Sequence, residues 1–160
     1  MSEQTAGKLI RLWKILNSIP GGHWLFNGLI KWRIPYTASI SSRIILFEPG
    51  HVCIALKDRR KIRNHLNSIH ALALANLGEF SSGLSLLTSL PSNVRGIPIN
   101  ISTDYFKKAR GLLIAESRVM PPEVTEDMEF KVKAEIKDQQ GDVVATTTVL
   151  WRLGLREDNK

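Results

Sequence analysis

Residues Ala71–Val94 contain a single ionisable side chain, Glu79, in 24 positions. Apolar and small residues recur along this stretch up to Pro91, which predicts one long helix over Asn67–Leu90 closed by that proline. A helix on a protein surface keeps a charged face. This one has none, so it must be enclosed nearly all round. Ala71, Ala73, Ala75, Gly78, Ser81, Ser82, Gly83 and Ser85 are small, which lets a sheet come close to the helix backbone. Glu79 is then expensive, because burying an unpaired carboxylate carries a large desolvation cost. Two solutions stay open at this point. One is an ion pair with Arg63, Arg95 or Arg110; the other is a partly desolvated carboxylate of raised pKa, as a general base requires. At helical spacing its neighbours are Asn76, Ala75, Ser82 and Gly83, a small and polar strip suited to a pocket wall.

What encloses the helix is read from the flanks. Ile40–Phe47 and His51–Leu56 read as strands joined by the turn Glu48-Pro49-Gly50. After Arg95 come Ile97–Phe106, Leu112–Val119, the alternating segment Phe130–Ile136, and Val143–Leu153. Two strands, one helix and four strands make an α+β domain, and 160 residues suit one domain. Ahead of it, Leu9, Ile10, Leu12, Trp13, Leu16 and Ile19 define an amphipathic helix ended by Pro20-Gly21-Gly22, and His23–Trp32 a second helical piece. The expected layout is a helical extension over 1–34, the main domain over 35–155 and a disordered tail over 156–160, with Met1–Ala6 also disordered. The extension is expected to pack as a lid over the core. Contact with a membrane surface is its second reading.

Charge and cysteine content narrow the functional classes. A net charge of +7 attracts anions, among them nucleic acid, anionic lipid and the phosphates of coenzyme A. Trp and Tyr do not interleave with the Lys/Arg clusters, which argues against a nucleic-acid stacking platform. The single cysteine, Cys53, forms no internal disulfide and lies in an apolar run, as a core thiol does; no Cys/His cluster has zinc-ligand spacing, and no metal is expected. A reducing, cytoplasmic setting is expected. The uncharged stretch Ile15–Ile30 is too short and too broken to span a bilayer. Just before the long helix, Asn64, Asn67 and Ser68 are good helix caps. Arg59, Arg60, Lys61 and Arg63 form either a solvated loop or part of a phosphate site.

The stretch Asn64-His65-Leu66-Asn67-Ser68-Ile69-His70 and its continuation through Ala71-Leu72 to Gly78-Glu79-Phe80-Ser81-Ser82-Gly83 resembles the helix of hotdog-fold acyl-CoA thioesterases. It is most similar to the branch known as DUF4442. Phe106-Lys107-Lys108-Ala109-Arg110-Gly111 resembles the turn that these proteins carry between two later strands. The similarity covers roughly Pro35–Leu153. It implies a curved antiparallel sheet wrapped round the helix, a homodimer with sites at the subunit interface, and pairing into tetramers left open. His70 and Glu79 have the spacing of the family's His and its acidic residue, so Glu79 inherits the catalytic role. Ala71-Leu72 stand where the family has Gly-Gly, leaving the Leu72 N–H to polarise the thioester carbonyl.

Asn64 and His65 match the branch's Asn-His and are the other catalytic candidates. Asn67, Ser68, His70, Leu72, Asn76, Arg63, Lys107, Lys108 and Arg110 are expected to bind substrate, the cations holding coenzyme A phosphates. No cofactor is expected beyond the coenzyme A of the substrate. The implied activity is hydrolysis of an acyl-CoA, with Glu79 activating water or attacking directly. The alternative is a non-catalytic dimer binding an acyl-lipid or acyl carrier.

Overall fold

A computed structural model describes residues 3–156. Helices α1 (Glu3–Asn17), α2 (Gly22–Arg33) and the short α3 (Pro35–Ala38) precede strands β1 (Arg43–Glu48) and β2 (His51–Lys57). The long helix α4 (Ala71–Ser89) follows, then β3 (Val94–Tyr105), β4 (Leu112–Arg118), β5 (Met128–Lys137) and β6 (Val143–Leu155). The six strands form one antiparallel sheet in the order β1-β2-β4-β5-β6-β3, curved around α4, which is the hotdog arrangement. Alternation explains the layering. Val52, Ile54 and Leu56 of β2, Leu113 and Ala115 of β4, and Val132, Ala134 and Ile136 of β5 are buried, while Lys131 and Lys133 stay exposed.

Helix α4 gets close to the sheet because its residues are small. A Cβ on Gly78 would fall inside the side chain of Thr147 on β6, so only glycine fits this crossing. Ser81, Ser82 and Ser85 are fully buried, and each returns its hydroxyl to a helix carbonyl, so the small polar residues leave no unpaired donor. Ser85 also reaches Ser117 on β4 at 2.8 Å.

The helix starts four residues later than its pattern predicts. Asn67 has φ +53°, which helix cannot accommodate, and the Asn64 side chain accepts from the N–H of Leu66 and of Ser68 to hold that turn. His70, not Asn67 or Ser68, is the N-cap. Two further differences lie near the N-terminus. Helix α1 begins at Glu3, inside the segment expected to be disordered, and α3 lies just before the first expected strand, where no helix was expected. Pro35 at its first turn favours that helix, since proline's missing N–H is not needed there. Residues 157–160, most of the expected tail, lie outside the described residues, as do 1 and 2.

The helical extension packs as the lid expected. Trp13 of α1 meets Phe26 of α2 edge-on at 5.0 Å, and both rings abut Phe47 of β1. Asn27 ties α2 to the sheet edge: its side chain accepts from the N–H of Ile44 and donates to the carbonyl of the same residue. No helix among the described residues is long and apolar enough to cross a membrane.

Candidate functional site

Glu79 is half-buried on α4, next to Gly78 and about a quarter-turn round the helix from it. It borders a cavity of about 410 Å³ lined by Tyr36, Thr37, Leu72, Ala75, Asn76, Glu79 and Ile101. Gly83, one turn on, lies between the carboxylate and the Trp151 ring of β6. A Cβ there would lie 3.4 and 3.5 Å from the Trp151 ring and 3.7 Å from Glu79 Oε1. Among the described residues Glu79 forms no ion pair. Arg63, weighed as its partner, is bonded to Asp58, and Arg110 donates to the carbonyls of Asn67 and Leu66. Burial without a compensating charge pushes the Glu79 carboxyl above the usual carboxylate range.

One turn before it, Asn76 has a buried side-chain oxygen with no hydrogen-bond partner. Buried polar atoms without partners are rare. Two acceptors three residues apart on one helix stand about 5–6 Å apart at Cβ. Both border the same cavity. The Asn76 oxygen is closed off from solvent, so the Glu79 carboxylate is the acceptor that a water in this cavity can reach.

Several of the remaining candidates are distributed over two neighbouring cavities. One, of about 340 Å³, shares Tyr36, Leu72 and Asn76 with the first and adds Lys61, Arg63 and His70. The other, of about 260 Å³, holds Asn64, Ser68, Lys107 and Lys108 beside Tyr105 and Phe106. Asn64 is therefore not brought to Glu79, and its oxygen is occupied in the turn described above. Ser68 is buried and donates to the Ala109 carbonyl. His65 and Asn67 are exposed and line none of these three cavities. The Leu72 N–H donates to His70 Nδ1 at 3.1 Å, so the amide meant for a substrate carbonyl is engaged by the helix cap.

Most of the expected phosphate-binding cations are also committed. The Arg63 guanidinium grips Asp58, a bond that holds the Asp58 carboxyl below the usual range. Lys107 bridges Asp138 and Asp142. Lys61 and Lys108 form no ion pair among the described residues.

A separate cluster lies on the sheet face away from α4. His51 Nε2 is 2.9 Å from Glu116 and 3.7 Å from Cys53 Sγ, and the three ligand atoms lie within 4.8 Å of one another. Arg118 occupies the same Glu116 oxygen at 2.9 Å, and His51 and Arg118 together hold that carboxyl below its usual range. Burial, with the nearby Glu116, pushes the Cys53 thiol up, which keeps it protonated. Chain spacing does not reveal this cluster, because β2–β4 pairing is what brings Glu116 to Cys53.

Tyr36, Thr37 and Ile101 are the cavity residues that sequence reasoning missed. For Tyr36 and Thr37, which precede the first expected strand, Pro35 followed by polar Tyr-Thr was the available signal for a helical turn.

The family model "Domain of unknown function (DUF4442)" matches residues 22–153. Similar solved structures include the structural-genomics protein APC5556, at 22% identity with a TM-score of 0.79, covering 92% of this chain and 99% of that one. A Pseudomonas aeruginosa protein, PA5026, described as a probable thioesterase, is 24% identical with a TM-score of 0.74 over 86% and 97% of the chains. The Streptococcus mutans protein smu.793, bound to acetyl-CoA, is 22% identical with a TM-score of 0.60 over 71% and 90%. These likenesses are of fold. No curated protein matches the sequence.

Proposed function

The chain belongs to the DUF4442 family, and from that premise we propose that it hydrolyses acyl-CoA thioesters with Glu79 as general base. The observation that carries this is the unpaired, desolvated carboxylate in the cavity wall, with the unpartnered Asn76 oxygen one turn away. A water donating to the Glu79 carboxylate presents its oxygen to a thioester carbonyl. Glu79 takes a proton as the water attacks; the tetrahedral intermediate collapses to a carboxylic acid, and the coenzyme A thiolate leaves and is protonated. Tyr36 and Thr37 border the same cavity, and their hydroxyls are candidate donors to the carbonyl oxygen. The unpaired Lys61 and Lys108 suit the phosphates. A structural relative bound to acetyl-CoA supports this substrate class.

The functional unit in this proposal is a homodimer. Strand β3 is a sheet edge of 12 residues that exposes Ile97, Ile99 and Ile101. A long apolar edge is a template for pairing with another strand. Ile101 also lines the Glu79 cavity, so β3–β3 pairing would complete the site at the interface.

The test is release of free thiol from short, medium and long acyl-CoAs by wild type and Glu79→Gln. Loss of a positioned base lowers the rate about 10²- to 10⁴-fold; equal rates would rule out this role for Glu79. A second reading, a non-catalytic acyl-lipid or acyl-carrier binder, is favoured by the engaged Leu72 N–H. Co-purified acyl lipid with no turnover of any thioester would select it.

A further inference from the structure

Helix α2 has two apolar faces, and the fold uses one. Gly22, Phe26, Asn27 and Ile30 are buried against α1 and the sheet. Trp24, Leu25, Gly28, Leu29 and Trp32 fall on the other side and are exposed, Leu25 at 66% and Trp32 at 77%. Exposed large apolar residues arranged in a helical stripe mark an interaction surface.

The charge around this stripe selects the partner. From residue 4 to residue 47 the chain carries Lys8, Arg11, Lys14, Lys31, Arg33 and Arg43 and no acidic residue. The net charge of the whole chain is +7, so the remainder is close to neutral. Arg43 sits over the Trp24 ring at 5.1 Å, which brings a cation to the stripe itself. Two copies joined through this face would bring like charges together with no acid in the segment to meet them. Tryptophan, leucine and flanking cations on one helix face instead match the boundary of an anionic bilayer, where aromatic rings sit at headgroup level.

We propose that the outward face of α2 docks on anionic phospholipid membranes. The consequence for substrate rests on the hydrolase proposal above. Only Ile34 separates α2 from α3, and Tyr36 and Thr37 of α3 line the Glu79 cavity. A docked protein therefore holds its cavity mouth near the lipid surface, which favours long-chain acyl thioesters that partition into membranes.

Docking is tested without substrate, on the full chain carrying Glu79→Gln, so that a failure here is separate from a failure of hydrolysis. The protein is sedimented with phosphatidylcholine vesicles and with vesicles that also contain phosphatidylglycerol. Binding to the second alone is expected, weakened by salt. Lys31→Ala with Arg33→Ala lowers it about 30-fold, because each surface cation contributes about fivefold. Leu25→Glu with Trp32→Glu abolishes it and leaves turnover of a short, soluble acyl-CoA by the otherwise wild-type enzyme unchanged. The proposal is overturned if wild type does not bind anionic vesicles at low salt, or if the double glutamate variant binds equally. It is also overturned if that variant merely converts a larger oligomer to a smaller one with no vesicle binding by either protein.

Discussion

Gly78 and Glu79 are adjacent in sequence but answer to opposite demands of the same helix. On the sheet side α4 is pressed so close to Thr147 that not even a methyl group fits. On the cavity side it leaves space beside a carboxylate and an amide oxygen that nothing in the described structure satisfies. One side is built for stability. The other carries polar groups whose placement is unfavourable for folding, as functional sites often do. Substitutions on the two sides should therefore separate into those that lose stability and those that lose activity.

The largest effect is expected on the cavity side. Glu79→Gln removes about 10²- to 10⁴-fold of thioester hydrolysis, measured as thiol release, with no loss of stability. Since burial raises the Glu79 pKa, the acid limb of the wild-type rate profile should lie above the usual carboxylate value near 4.3. Next comes the sheet side. Gly78→Ala forces α4 and Thr147 apart and costs about 1–3 kcal/mol in denaturant unfolding, while activity per folded molecule is retained. Equal loss of activity and stability in this variant would break the distinction between the two sides. Asn76→Ala removes a buried oxygen without a partner, so it should leave the melting temperature unchanged or raised and lower the rate far less than Glu79→Gln.

The smallest effect sharpens the comparison most. Glu79 has a raised pKa in the fold, so the native protein holds its proton more tightly than the unfolded chain. Its ionised form destabilises the fold above the native pKa, and that penalty vanishes below the unfolded value. Glu79→Gln should accordingly melt higher than wild type at neutral pH, with the gain disappearing as pH falls below about 4. Asp58 gives the opposite sign. Its pKa is depressed by Arg63, so its contribution is present above the unfolded value and lost as pH falls through the lower native one.

The helix and its enclosure were legible because a lack of charge is a global property that no local detail reverses. All six strands followed from alternation, with ends displaced by a few residues. The start of α4 was not legible. Capping propensity favoured Asn67 and Ser68, but the choice depended on Asn64 closing a turn and on Asn67 adopting a left-handed conformation. The site divided in the same way. Glu79 and Asn76 stand out from their own neighbours, whereas Tyr36 and Thr37 enter the cavity only because the extension folds back over α4. The commitment of Arg63 and Lys107 to Asp58, Asp138 and Asp142 is likewise a tertiary fact.

Strand β3 is hydrogen-bonded within the sheet to β6 alone, from Val94 opposite Leu155 to Tyr105 opposite Ala145. The strands β4 and β5 lie between them in the chain. Adjacent hairpins can close early, but β3 must wait for a partner distant in sequence, and such non-local pairing is slow. Until β6 arrives, both edges of β3 and its isoleucines are open to other chains. The interval between synthesis of β3 and docking of β6 is thus the period of greatest aggregation risk for this protein.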